Sequence, residues 1–154
     1  SSSSAASDVY KRQIHGRTNP ELIGFTHHLS FKYDGLRLTV PNVLTAVMMK
    51  LVAFKERLLS YQEEPVVRKG NYFQAEKHAR DVFRAVAMET EEDQRMFPDI
   101  LREVGESPLY QNCQEIIRDY FCTPGQDGFD FVSGFWHEHD RDSILQELRR
   151  WFKV

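Results

Sequence analysis

The sequence predicts an α+β domain in which a small antiparallel sheet remnant, a hairpin at about 27–40, precedes four or five packed α-helices. Three observations carry this. Apolar and polar residues alternate singly on both sides of Asp34-Gly35, apolar residues recur at three- and four-residue spacing from Leu44 onward, and cap or turn residues separate the helical stretches. With 154 residues, 41% hydrophobic and 12% aromatic, the chain is long enough for one domain with a real core. The opening SSSSAASDVYKRQ has neither the apolar segment nor the cleavage site of a signal peptide. It reads as a non-native or adapter-derived disordered head, 1–13, which leaves 14–154 as the single domain.

The hairpin rests on HHLSFKYDGLRLTV, where Leu29, Phe31 and Tyr33 alternate with Ser30 and Lys32, and Leu36, Leu38 and Val40 alternate with Arg37 and Thr39. Asp-Gly between such runs is the strongest short-range hairpin signal, because both turn positions need positive φ. A lone hairpin is marginal in water, so this one is expected to extend a larger sheet or pack on helices. His27 and His28, adjacent in the strand, are expected on opposite faces.

After Pro41 and Asn42 the period changes. Leu44, Val47, Met48, Leu51, Val52 and Leu58 form one apolar stripe of a first helix. SYQEEPVVRKGNY, polar and containing Pro65 and Gly70, reads as a loop. The second helix, QAEKHARDVFRAVAME, directs Ala79, Val82, Phe83 and Val86 inward, with Lys77, Asp81 and Arg84 on the other side. Thr90 with Asp93 three residues later predicts a capped third helix, interrupted near Pro98. Ser107-Pro108 starts a fourth helix reaching about 121. CTPGQDG is a turn, FDFVSGFW a short strand or an aromatic loop, and 140–152 a last helix with Ile144, Leu145, Leu148 and Trp151 on one side. Phe129, Phe131, Phe135 and Trp136 are expected in the core.

Charge and cysteine content narrow the function classes. The net charge of −3 and pI near 6.1 oppose a broad nucleic-acid surface, so any polyanion must be met locally. No apolar run approaches the roughly 20 residues of a membrane span, so no membrane partner is expected. Cys113 and Cys122 lack C-x-x-C spacing and read as inert thiols of a reducing compartment, the cytoplasm.

Lys50 and Arg57 lie seven residues apart, which turns a helix by about 700°, so they emerge within roughly 20° of each other. Long cationic stems laid over apolar surface explain such a pair. So do two cations placed to receive phosphate oxygens, lysine as a point charge and arginine as a fork. Asp81 pairs with Lys77 or Arg84 on a solvated face, or belongs to a site. WHEHDRD offers His137 and His139, but imidazoles at i and i+2 of a helix diverge, so a metal there needs extended backbone. There is no P-loop or dinucleotide fingerprint.

Taken together, MMKLVAFKER, a polar loop and KHARDVFRAVAMETEED resemble the C-terminal half of nucleotidyltransferases of the AbiEii toxin type, over residues 29–93. In that family K-L-x-A-x-x-x-R and H-A-x-D lie on successive helices; here these are Lys50, Leu51, Ala53, Arg57, then His78, Ala79, Asp81. The resemblance implies transfer of a nucleotidyl group from an NTP, with Mg²⁺, to an RNA or protein acceptor, as the toxin of a toxin–antitoxin pair. It implies Lys50 and Asp81 as catalytic residues, Lys50, Arg57 and Lys77 as contacts to the NTP phosphates, and His78 in support. The Gly-Ser turn and paired carboxylates of the family's first strands have no counterpart in these residues. The chain is thus expected to be a C-terminal portion, inactive alone. The alternative is a catalytically inactive binding or regulatory module on the same scaffold.

Overall fold

The structure is a computed structural model, and it describes residues 28–154. The predicted head, 1–13, and the start of the hairpin with His27 lie outside the described residues. Two strands, β1 (His28–Tyr33) and β2 (Leu36–Pro41), pair antiparallel with Phe31 opposite Leu38 and Tyr33 opposite Leu36. The turn is the one predicted: Asp34 and Gly35 have φ of 48° and 76°. Six helices follow: α1 (Val43–Glu63), α2 (Lys69–Ala87), α3 (Glu91–Val104), α4 (Pro108–Tyr120), α5 (Asp127–Ser133) and α6 (Glu138–Phe152).

The hairpin differs from expectation in what it packs on. Among the described residues it has no third strand, and no helix packs closely against it. On its apolar side Tyr33 is 69% and Leu36 64% exposed.

Each helix start follows from local chemistry. The Asn42 side chain accepts a hydrogen bond from the Thr45 amide (2.9 Å) and donates to the Thr45 hydroxyl (3.0 Å), which caps α1. Thr90 and Asp93 form the predicted capping box of α3. Asp93, 3% exposed, has a further partner fifty residues back: its Oδ1 accepts from the Val43 amide at 2.9 Å, while Oδ2 accepts from the Thr90 amide and hydroxyl at 3.1 and 2.6 Å. One buried carboxylate therefore serves the N-termini of two helices, where the backbone dipoles favour negative charge. Ser107 caps α4 through the Tyr110 amide (3.1 Å), with Pro108 in the first turn.

Three local expectations are corrected. Helix α3 runs through Pro98 without interruption; the proline lies on the exposed side, where water can serve the carbonyl it leaves without a donor. The stretch read as a loop before Tyr72 is helical at both ends, since α1 continues to Glu63 and α2 begins at Lys69. Phe129–Val132 belongs to α5, a short helix rather than a strand, which brings the helices of the described residues to six. The α4–α5 link is closed by Gln126, whose Oε1 accepts from the amides of Cys122 (2.6 Å) and Thr123 (3.0 Å) and whose Nε2 donates to the Arg118 carbonyl (2.8 Å).

The core sits between α1 and α2 and is closed by α4, α5 and α6. Ala75 and Ala79 keep the buried α2 face small where it packs on α1, whose Leu44, Met48, Leu51 and Phe54 are fully buried. Phe54 meets Phe121 and Tyr120 at centroid distances of 5.0 and 5.5 Å. At the far end the Tyr110 hydroxyl donates to the Trp151 carbonyl (2.8 Å) and Gln114 Nε2 to the Phe152 carbonyl (2.7 Å), which satisfies the last turn of α6. No helix of the described residues is long and apolar enough to cross a membrane.

Candidate functional site

The packing of α1 on α2 decides where the candidate residues meet. Both helices present their apolar stripes to each other, so residues at the stripe margins are brought side to side across the interhelical groove. Lys50, at the margin of α1, reaches Asp81, at the margin of α2: Nζ donates to Oδ2 at 2.9 Å. The other carboxylate oxygen, Oδ1, accepts from Arg84 Nη1 at 3.1 Å, one helical turn on. Lys50 keeps 38% of its side chain in solvent and Asp81 keeps 17%.

Arg57 lies two turns along α1 from Lys50 and donates to Asn71 Oδ1 at 3.2 Å. Asn71 in turn donates to the Ser60 hydroxyl (3.0 Å), which also accepts from Arg68 (2.9 Å). The guanidinium of Arg57 is thus oriented by a neutral amide and not cancelled by a carboxylate there. Lys77 is exposed on α2, one residue before His78.

His78 stands among these groups. Its pKa is lowered to about 4, first by burial and then by the Lys50 charge, with Asp81 opposing and Lys77 and Arg57 adding to the depression. Its Nδ1 is buried without a hydrogen-bond partner. For Asp81, burial pushes the pKa up, but the hydrogen bonds and charges of Lys50 and then Arg84 outweigh it and hold the carboxyl below its ordinary value. At neutral pH the site therefore has an ionised Asp81, a neutral His78, and the cations Lys50, Arg57, Lys77 and Arg84. Positive charge exceeds negative at this spot on a chain that is acidic as a whole.

The structure brings together Lys50, Asp81 and His78 as residues of one groove, with Arg57 and Lys77 near enough for their charge to bear on His78. Asn71, which aims Arg57, has no sequence signal, because it falls in the stretch that reads as a loop. Outside this groove, His137 and His139 are exposed at the start of α6, where the helical backbone begins at Glu138. Cys113 is buried, its pKa pushed up to about 12 by that burial, with Lys55 lowering it slightly, so its thiolate is inaccessible. Phe129 and Phe131 lie in the core as expected, but Phe135 is 51% exposed.

A magnesium ion would need carboxylate oxygens free to ligate. Asp81 commits both oxygens to cations, and no group of three or more His, Cys, Asp or Glu side chains able to hold a metal converges among the described residues. The groove does not fit Mg²⁺. No family model matches this chain, and no curated protein or solved structure matches it.

Proposed function

We propose that this chain is the phosphate-binding helical portion of a nucleotidyltransferase, passing a nucleotidyl group from an NTP to an RNA or protein acceptor as the cytoplasmic toxin half of a toxin–antitoxin pair. The observation that carries the reading is the 2.9 Å contact between Lys50 and Asp81 inside a group of cations that the carboxylate only partly neutralises. In nucleotidyl transfer the acceptor oxygen attacks the α-phosphorus, the bond to the bridging oxygen breaks, and pyrophosphate leaves with the electron pair. Such chemistry depends on positioning and charge neutralisation. Lys50 would contact phosphate, Arg57 would offer its fork beside it, and Lys77 would add a third cation. Asp81 acts as a positioning residue that keeps the Lys50 ammonium at the groove. Magnesium, when bound, would supply charge neutralisation at the phosphates, and the residues of this groove do not fit its ligand set.

The test is transfer of label from α-labelled NTPs to RNA and protein acceptors by the full-length protein, beside Lys50→Ala and Asp81→Ala. Loss of transfer in both variants, with folding intact, is the expected result. Equal transfer by all three proteins would reject the roles given to these residues.

A second reading is supported by the pairing itself. Lys50 and both oxygens of Asp81 are already engaged, which suits a helical binding or regulatory module without chemistry. Under that reading NTP binds without label transfer.

A further inference from the structure

Phe135 lies between α5 and α6 with half of its surface in water, although its neighbours Phe129 and Phe131 are 8% exposed. Two guanidinium groups of α2 address its ring: Arg80 Cζ is 4.9 Å and Arg84 Cζ 5.1 Å from the centroid. Bracing of α5 against α2 does not require this ring, because Tyr72 already meets Phe131 edge-on at 5.1 Å. Nor is the pairing a closed polar network. Arg80 donates Nη2 to Glu76 at 2.7 Å but its Nε is buried without a partner. Arg84 is the link that matters, since the guanidinium at the Phe135 ring also bonds Asp81 Oδ1 at 3.1 Å, and Asp81 bonds Lys50. A half-exposed aromatic ring and the cations around Asp81 are therefore linked through one arginine.

Aromatic rings flanked by arginine take planar π-systems by stacking, and the adjacent cations favour a ligand that also carries negative charge. We infer that Phe135, held by Arg80 and Arg84, is the shelf on which the base of a nucleotide stacks while its phosphates lie on Lys50, Arg57 and Lys77; this rests on the nucleotide-binding reading proposed above. Stacking reads the face of a base and not its hydrogen-bonding edges, so the shelf accepts every base with small differences in affinity.

The experiment is calorimetric titration of the chain with ATP and, separately, with inorganic tripolyphosphate, which has the phosphates without the base. Phe135→Ala and Phe135→Leu are expected to weaken ATP binding between about fivefold and a hundredfold, Phe135→Trp to restore it, and tripolyphosphate to bind all of them equally. Leucine keeps the apolar bulk without a π face and so separates stacking from bracing. Unchanged ATP affinity in Phe135→Leu would overturn the shelf and leave the phosphate groove standing. A parallel loss of tripolyphosphate binding in that variant would also overturn it, by showing the ring to be a brace. Failure of the unaltered chain to bind either ligand would remove the nucleotide reading itself, and the shelf with it.

Discussion

Removing the Lys50–Asp81 contact should barely destabilise the protein, and the reason lies in who remains when either partner is gone. Lys50→Ala leaves Asp81 bonded to Arg84; Asp81→Ala leaves Lys50 with more than a third of its side chain already in solvent, so its ammonium can be hydrated. Neither change strands a charge in the interior, which is the situation that costs about 3–5 kcal/mol. The pair belongs with partly exposed ion pairs, whose coupling is about 0.2–1 kcal/mol. Asp81→Ala also loses the bond to Arg84, worth about 0.2–0.5 kcal/mol at this helical spacing. For a chain of 154 residues, about 1 kcal/mol moves the melting temperature by about 2–4 °C. Thermal and urea unfolding of the unaltered chain, Lys50→Ala, Asp81→Ala and the double variant, followed by circular dichroism, gives the coupling directly. The expectation is a coupling below about 1 kcal/mol and Tm shifts of a few degrees, so that any loss of ligand binding reports the site and not the fold. A coupling above about 2 kcal/mol would refute this reasoning and make the pair a clamp between α1 and α2.

His78 has a folded-state pKa near 4 against an ordinary value of 6.5, so its neutral form stabilises the fold fully above about pH 6.5 and that contribution is lost as pH falls toward 4; unfolding followed across this window should show a decline that His78→Leu flattens. Asp93→Ala removes acceptors from the starts of α1 and α3 at once, each cap being worth about 1 kcal/mol and a buried unpaired amide costing about 1–3 kcal/mol, so a total loss of about 2–4 kcal/mol is expected in urea titrations. Gly128→Ala would put a Cβ 2.7 Å from the Tyr120 carbonyl oxygen and 2.8 Å from the Phe121 ring, and this overpacking should cost about 1–3 kcal/mol by the same measurement.

Much of the fold is legible in the sequence because its signals are local. Asp34-Gly35 demands positive φ, Thr90 and Asp93 cap each other across one turn, and the stripe from Leu44 to Leu58 declares its own buried face. The parts that escape are those that other elements impose. Helix α5 has seven residues, fewer than two full turns of periodicity, and its phenylalanines favour a strand until Gly128 lets it pass close to Tyr120 and Phe121. Pro98 leaves one carbonyl without a donor, which its exposed position lets water serve, and exposure is not written locally. Asp93 looks like the cap of one helix; its bond to Val43 joins positions fifty apart in sequence. At the site, the spacing of Lys50 and Arg57 and the face carrying Asp81 are readable. The aim of Arg57 by Asn71 and the exposure of Phe135 depend on where α2 begins and where α5 ends, neither of which the pattern marks.

Among the described residues no helix packs closely on the hairpin, so its pairing stands largely apart from the helical core. The pair has no third strand among the described residues, and a two-stranded hairpin is marginal, so opening of this ribbon with the helices still folded is expected to cost little. Melting of that kind stops at Asn42, where the side chain and the Asp93 carboxylate anchor the first turn of α1 from both sides. Lys50 lies two turns further on, and its setting is thereby insulated from whatever the ribbon does.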